Sequence, residues 1–390
     1  MDVNPKVRLV PIDGEVVTAR AFCNRFAGLL SELEREFLEK YKEFVEPRME
    51  LPYWLRKPMI AVALDQGKCT EGVLALASGA RSAVLEQEQI QLKGCRPVDD
   101  GCDFPFESIP WGESKIIQTR VPFGVMTAEA VLRELVGYCF CMVHGIPCAV
   151  APICIYSYTG TMTGRYCLVQ RAPKGRRVES FLRIKGVMVS DMLAQTTSDE
   201  SCLLGSEATL EGLNCRWYAE QKARWLVEFH FSGGFRGLLN NNVGNDVVEW
   251  LPNKKCRLCF CDFDSFKLAD IPSQPVPAFL DAFATQCLVE IVKGSLPILF
   301  YVKVPLGSAE KNCSRYIAAA YRQKSTLWNL YKQKAFLKAH QLSWSWPELD
   351  AAFGRAFETP AFLEAACSVI LSDYALRRHH QRHTRIYVPH

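Results

Sequence analysis

The order in which strands and helices follow one another constrains the fold of this chain most. The first half alternates short β-prone runs with glycines, which predicts an antiparallel sheet with tight turns, and it contains one long helix. The second half mostly has the apolar spacing of helices, interrupted by one hairpin. The predicted strands are 60–64, 73–76, 83–85, 89–92, 149–156, 166–170, 246–250 and 257–261. The predicted helices are 26–44, 128–144, 180–193, 213–231 and most of 276–372.

A β-rich half with one helix, followed by a helical half with a small hairpin, is the element order of a bilobed protein-kinase-like fold. We therefore predict an α+β architecture with a β-rich N-lobe and a helical C-lobe. Residues 95–124 are rich in Pro, Gly and Asp and are predicted to be an irregular loop. The predicted units are a helical extension at 1–50, the N-lobe at 51–175, the C-lobe at 176–372 and a basic tail at 373–390.

Composition narrows the class of protein. The chain has 390 residues, of which 49% are hydrophobic and 23% charged, so it can bury enough apolar surface to fold. The formal net charge is only +4, and we do not expect a nucleic-acid partner. The start has no secretory signal pattern, and the longest apolar stretch, 135–158, is broken by a Gly-Ile-Pro turn and a further proline. A membrane span is therefore not expected.

Cysteine usage indicates a reducing compartment. The 17 cysteines are an odd number and lie inside apolar runs, which favours buried thiols in a cytoplasmic protein. Delivery into a host cell remains an alternative. Cys256 and Cys259 form a CxxC pair, but no second pair follows at zinc-finger spacing, so we predict no zinc site there.

Four polar features stand in the order in which kinase-like folds carry the groups for nucleotide-dependent transfer. A cation must hold phosphate oxygens, a carboxylate must orient that cation, and two oxygen ligands must hold Mg²⁺. Lys93 ends a predicted strand, Glu134 lies in the following helix, the Asn run 240–242 follows a glycine turn, and Asp262 closes the hairpin. Asp262 lies among apolar residues, where an acid is costly unless it is paired or bound to a metal.

The same residues lie in segments that resemble the selenoprotein O family. Gln91-Leu92-Lys93-Gly94 with Pro97 resembles its QLKGxxP segment, and Val131–Glu134 followed by Gly145-Ile146-Pro147 resembles its helix and GIP turn. The segment 168–181 resembles its arginine-bearing segment, and 262–266 resembles its metal-binding turn. The resemblance covers roughly 73–270 and is strongest at 89–97 and 131–147. That family has a protein-kinase-like fold, binds ATP in a flipped orientation and transfers AMP to protein hydroxyls.

The resemblance implies a role for each matching residue. Lys93 would hold phosphates with Arg177, and with Arg171 as a less certain second, while Glu134 would pair with Lys93. Asn242 and Asp262 would bind Mg²⁺. Gly79 and Arg81 lie where the family's glycine-rich turn should be.

The catalytic loop departs from the family. Counting five residues on from Gly237, the position of the kinase Asp, puts Asn242 in the metal position and Asn241 in the position of the base. A register one residue later would put Asn242 in the base position and Val243 at the metal. In both registers the carboxylate is missing, although phosphoryl-type transfer depends mainly on positioning and electrostatics. Asp264 could compensate.

The sequence therefore predicts an ATP- and Mg-dependent transferase that attaches AMP to a hydroxyl of a protein substrate. Transfer of the γ-phosphoryl group by the same fold, a catalytically inactive nucleotide-binding scaffold, and a small-molecule acceptor are the alternatives. The segment 377–385 carries four arginines and no acid, and it is predicted to be a solvated tail that could contact an acidic partner.

Overall fold

The computed structural model describes residues 6–46, 51–63, 72–78, 81–96, 103–108, 117–122, 124–173, 175–178, 215–236, 245–251, 256–270, 279–280, 283–284, 331–335, 337–338 and 346–358. The predicted helix at 180–193, the Asn run at 240–242, Gly79 and the basic tail lie outside these residues.

Eight strands form one antiparallel sheet, in the spatial order β2-β9-β10-β6-β5-β4-β1-β3. Their hydrogen-bonded registers agree with the short β-prone runs that the sequence shows between residues 59 and 93. Two further small sheets and a separate hairpin account for the other described strands. The strands of the large sheet are β1 (Lys6–Pro11), β2 (Gly14–Val17), β3 (Met59–Ala63), β4 (Val73–Ser78), β5 (Ser82–Leu85), β6 (Ile90–Lys93), β9 (Pro152–Tyr158) and β10 (Tyr166–Arg171).

The large sheet curls, so that its two ends approach each other. Tyr156 and Tyr158, on β9 near one edge, donate hydroxyl hydrogen bonds to the carbonyls of Leu55 (2.8 Å) and Met59 (2.9 Å) at the opposite edge. The concave side is filled by apolar side chains from seven of the strands. Burial of both tyrosines with bonded hydroxyls leaves no unpaired polar group at this closure.

Helix α3 (Ala128–Val143) packs against the other face of the sheet and was predicted almost to the residue. It begins at Thr127, whose hydroxyl accepts a hydrogen bond from the Ala130 backbone N–H (3.2 Å). It ends where Gly145 adopts a left-handed backbone (φ 64°) and the Ile146 N–H donates to the Cys141 carbonyl (2.9 Å). Eleven of its sixteen residues are buried, so α3 is a core helix covered on most sides.

The N-terminal segment differs from the predicted helical extension. Residues 6–17 contribute β1 and β2 to the large sheet, where β1 pairs with both β3 and β4. Helix α1 (Ala19–Arg25) ends just before the single helix predicted at 26–44. That range holds α2 (Glu32–Lys40) flanked by short 3-10 turns, because Ser31 caps a new helix in the middle of the apolar pattern. The segment is thus partly built into the sheet.

The loop predicted at 95–124 contains a hairpin of β7 (Asp103–Ser108) and β8 (Ile117–Pro122). Pro105 and Pro122 argued against strands there, but a two-stranded hairpin has open edges on which proline needs no hydrogen-bond partner. The prediction of irregular structure was therefore wrong for these twelve residues.

The second half brings the predicted hairpin against a helix. Helix α4 (Cys215–Phe231) lies next to a three-stranded sheet of β11 (Gly175–Arg177), β13 (Asp246–Trp250) and β14 (Cys256–Phe260). Strands β12 (Gly234–Phe235) and β15 (Lys267–Leu268) pair with each other, and helix α5 spans Trp346–Glu358. One continuous apolar cluster joins α1 to α5 and both hairpin strands. Within the described residues the fold is thus mixed α/β, with no helix long and apolar enough to cross a membrane.

Candidate functional site

Lys93 lies at the end of β6, on the face of the sheet that meets α3. Its cross-strand neighbours are Ser82 on β5 and Leu168 on β10, so β6 is flanked on both sides. All four residues of β6 are buried, and Lys93 is only 6% exposed. A lysine so placed needs a negative partner, because burying an unpaired ammonium group is costly.

Two carboxylates supply that partner. The ammonium group of Lys93 is hydrogen-bonded to Oε1 of Glu134 on α3 and to Oδ1 of Asp262, which follows β14. Glu134 is 2% exposed, and its Oε1 also accepts the Phe263 backbone N–H (3.0 Å). The residues predicted as phosphate cation, orienting acid and metal ligand therefore meet at one place.

The turn that carries Asp262 has a backbone conformation that few residues adopt. Asp262 has φ 67°, in the left-handed region that aspartate tolerates better than most side chains. The turn then closes with a hydrogen bond from the Phe266 N–H to the Phe263 carbonyl (2.8 Å). This conformation brings Asp262 towards Lys93 while Phe263 enters the core.

Arg81, immediately before β5, completes the charged cluster. Its guanidinium pairs with Asp264 and lies 3.5 Å from Asp262. Sequence reasoning placed Arg81 at a glycine-rich turn and treated Asp264 only as a possible substitute for the missing base. Their pairing joins two segments 183 residues apart. The signal that pointed to Asp264 was its position two residues after Asp262.

The cluster holds more negative than positive side chains, and this sets its electrostatics. Glu134, Asp262 and Asp264 offer oxygens that all lie within 4.8 Å of one another, and they face two cations. Burial would raise the pKa of Asp262, but Lys93 and Arg81 hold it well below its usual range. Burial and the neighbouring carboxylates raise the pKa of Glu134 despite its pairing with Lys93. The three carboxylates thus outnumber Lys93 and Arg81 by one, and Arg177 adds positive charge nearby.

The donor set suits a hard divalent cation. Mg²⁺ is bound through carboxylate oxygens, together with waters and phosphate oxygens. Three carboxylates whose oxygens converge within 4.8 Å offer such ligands, more than the one or two that Mg²⁺ usually takes from a protein. Glu134 is part of this set as well as the partner of Lys93, a double role that the sequence did not suggest.

Phe263 fixes the turn against α3. Its ring stacks on Phe229 at 6.2 Å and packs next to Phe266. The closest approach is to Gly137, where a Cβ atom would lie 2.5 Å from Cβ of Phe263. Gly137 stands three residues after Glu134 on the same face of the helix, a signal that the sequence contained and that was missed.

Two buried polar residues, Arg236 and Asn245, bind the backbone next to the charged cluster. Arg236, 2% exposed, donates to the carbonyl of Cys261 (3.1 Å) and lies 4.6 Å from the ring centre of Phe260. Asn245 accepts a hydrogen bond from Arg177 (3.3 Å), and its carbonyl accepts the Cys261 N–H (3.1 Å). Both contacts position the residue that precedes Asp262. Sequence reasoning missed Asn245 because it looked only at the run 240–242.

The remaining predicted residues divide into three groups. Arg177 lies close enough that its charge contributes to the lowered pKa of Asp262. Arg171 is exposed at the end of β10, and no ion pair among the described residues joins it to the cluster. Gly79, Asn241 and Asn242 lie outside the described residues, so their roles stay predictions.

Comparisons with known proteins add little. No protein-family model matches the chain, and no curated protein matches it. Among solved structures, one described as WaaP in complex with acyl carrier protein matches with 12% identity and a TM-score of 0.26, over 51% of this chain and 76% of that chain. That likeness is too weak to assign a function. The resemblance to selenoprotein O therefore depends on the motifs alone.

Proposed function

We propose that this chain is an ATP-dependent transferase with a protein-kinase-like arrangement and that it transfers AMP to a hydroxyl group of a protein. The observation that carries the proposal is the buried Lys93, shared between Glu134 on a helix and Asp262 on a turn after a hairpin strand. The Lys93 ammonium group has three N–H donors. A phosphate oxygen could replace one of its two carboxylate partners while the other keeps the ammonium group in place.

The side chains would act as follows. Lys93 would donate to phosphate oxygens, with Glu134 keeping its ammonium group oriented, and Arg177 would add positive charge on the same side. Glu134 and Asp262 would hold Mg²⁺, which neutralises phosphate charge when it is bound. Arg81 is placed to turn from Asp264 towards a phosphate group.

The chemical step balances as a displacement at the α-phosphorus. The substrate hydroxyl oxygen forms a bond to that phosphorus while the bond from phosphorus to the bridging oxygen breaks, and pyrophosphate leaves. The hydroxyl proton needs an acceptor. Asn241, in the position of the base, carries an amide that does not accept it, so we assign this role to Asp264.

The test is incubation of the whole chain with Mg²⁺ and ATP labelled at the α- or the γ-phosphate, with a protein acceptor, followed by intact-mass measurement. We expect α-label to remain on protein. Retained γ-label would show phosphoryl transfer instead, as a protein kinase performs. Nucleotide binding without any retained label would favour an inactive scaffold, and absence of nucleotide binding would contradict the proposal altogether.

Variants tie the result to the cluster. Lys93→Met and Asp262→Asn should each lower transfer by at least about a hundredfold, the usual cost of losing a charge-stabilising group. Lys57→Met is the matched control, because Lys57 is exposed just before β3. Equal activity in Lys93→Met and Lys57→Met would show that the charged cluster takes no part in the reaction.

A further inference from the structure

Glu34 on α2 is a buried carboxylate outside the charged cluster. It is 2% exposed and accepts hydrogen bonds from the backbone N–H (3.0 Å) and hydroxyl (2.9 Å) of Ser31. The backbone N–H of Glu34 in turn donates to the Ser31 hydroxyl oxygen (3.3 Å), and this bond and the one from the Ser31 N–H form a capping box, which accounts for a glutamate at this position of a helix. They do not account for its burial.

Two further donors connect Glu34 to the elements that carry the site. Oε1 of Glu34 pairs with the guanidinium of Arg133, which directly precedes Glu134 on α3. The same oxygen accepts the backbone N–H of Leu268 on β15 (3.3 Å), the strand that follows the turn of Asp262 and Asp264. One carboxylate therefore touches the helix of the orienting acid and the segment after the metal-binding turn.

Apolar packing brings α2 to α3 but does not fix their relative position. The rings of Phe37 and Phe140 lie 6.2 Å apart, and Leu38 is buried in the same cluster as α3. The Cys139 thiol donates to the Tyr41 carbonyl at 3.5 Å. Apolar contacts are non-directional. The Cys139 thiol is a weak donor. The stronger directional contacts are those of Glu34 with Arg133 and Leu268, and charged hydrogen bonds of this kind hold a geometry.

We propose that Glu34 is a positioning residue for the site: it holds α3 and β15 in the register that lets Glu134 and Asp262 reach Lys93 together. This inference rests on the proposed nucleotide function. The N-terminal segment then acts as a clamp, by which we mean that Glu34 holds α3, the helix that carries Glu134, in position. Without the carboxylate of Glu34, Arg133 keeps its weaker pair with the exposed Glu129 at 3.5 Å.

The experiment compares Glu34→Gln with Glu36→Gln, which changes an exposed carboxylate on the same helix. Affinity for a Mg²⁺-bound, non-hydrolysable ATP analogue is measured well below the melting temperature of each variant. We expect Glu34→Gln to weaken binding by about tenfold or more, as expected when a buried charged partner is lost. Hydrogen exchange of 128–143 and 267–268 should become faster. Glu36→Gln should change neither quantity.

A double-mutant cycle separates positioning from general stability. If Glu34 acts through Glu134, then Glu34→Gln should change analogue affinity little in a Glu134→Gln background. Additive effects would overturn the proposal, as would a lowered melting temperature with unchanged affinity and unchanged exchange. If Glu34→Gln fails to fold, Arg133→Lys tests the same contact, since it keeps the charge and loses the planar fork.

Failure of this inference differs from failure of the proposed function. A wild-type chain that binds no nucleotide contradicts the function, while the exchange rates of α3 and β15 still test the clamp. If Glu34→Gln leaves the nucleotide affinity unchanged, only the positioning role of Glu34 is contradicted.

Discussion

Gly137 shows how one missing methyl group decides the geometry of the candidate site. It lies inside α3, where alanine would normally favour the helix by about 1 kcal/mol. The Cβ of alanine would instead lie 2.5 Å from Cβ of Phe263, an atom that no rotamer change can move away. The turn itself would have to shift, and with it the bond from the Phe263 N–H to Glu134.

Gly137→Ala should therefore destabilise the protein by about 1–3 kcal/mol, the usual cost of overpacking, and weaken nucleotide binding. Gly354→Ala is the matched control, because Gly354 is also inside a helix and a Cβ there would meet none of the described residues within 4 Å. We expect that control to be stabilised by about 0.5–1 kcal/mol. Denaturant unfolding measures both, and a stabilised Gly137→Ala would contradict the close contact.

Arg81 affects how tightly the carboxylates bind a metal ion when no nucleotide is present. Its guanidinium pairs with Asp264 and lies near Asp262, so an entering divalent cation meets positive charge. Arg81→Gln should raise the affinity for Mn²⁺ alone by about tenfold or more and lower the affinity for ATP without metal. Titration calorimetry measures both affinities. Arg56→Gln, at an exposed arginine before β3, should leave them unchanged, and an unaltered Mn²⁺ affinity in Arg81→Gln would refute the argument.

At the scale of elements, the contact between α2 and α3 should appear as a pH dependence. Burial alone would raise the pKa of Glu34, but Arg133 and Ser31 lower it below the ordinary value of 4.5. A lowered pKa contributes stability that is complete above the unfolded-state value and is lost as pH falls through the folded-state value. Glutamine mimics the protonated acid, so it lacks this contribution at every pH.

The difference in unfolding free energy between wild type and Glu34→Gln should be constant around neutral pH. It should shrink as pH falls below the ordinary glutamate pKa of 4.5 and through the lower folded-state pKa of Glu34, where Glu34 becomes protonated. Denaturant unfolding at each pH measures the difference. A difference that grows on acidification would mean that the carboxylate of Glu34 is not stabilised by Arg133.

Which elements the sequence reveals depends on how far apart their partners lie. The strands at 59–93 and helix α3 show their own periodicity and glycine punctuation, so they were predictable. Strand β1 (Lys6–Pro11) was missed although Val7 and Leu9 alternate with polar residues and are both buried. Its partners on β3 lie far along the chain, as the pairing of Val7 with Ala63 shows, so no nearby strand or tight turn drew attention to the alternation.

The residues of the candidate site also divide into those that local motifs reveal and those that only distant contacts bring together. Lys93, Glu134 and Asp262 could be chosen because each lies in a motif and the three follow a known order. The pairing of Arg81 with Asp264 and the bond from Leu268 to Glu34 join residues 183 and 234 positions apart. Such contacts are fixed by the curl of the sheet and the packing of α2, which no motif encodes. Resemblance therefore found the chemistry of the site but not its support.

At the scale of the whole molecule, the N-terminal segment is a part of the fold and not an appendage. Strand β1 lies between β4 and β3, and β2 forms the opposite edge of the same sheet. Phe22 and Leu38, on α1 and α2, are buried in the cluster that contains α3. Removing residues 1–46 would leave β3 without its neighbour and expose that apolar cluster, a loss larger than the marginal stability of most domains.

A chain that begins at residue 51 should therefore lose its cooperative thermal transition and aggregate on expression. The full chain carrying Leu29→Ser is the control, because Leu29 belongs to the same segment but is 47% exposed, and this change should leave the transition intact. Differential scanning calorimetry and far-UV circular dichroism measure the outcome. A shortened chain with a sharp transition would show that residues 51–390 fold alone. That result would favour the predicted helical extension at 1–50 over a segment that is essential to the sheet.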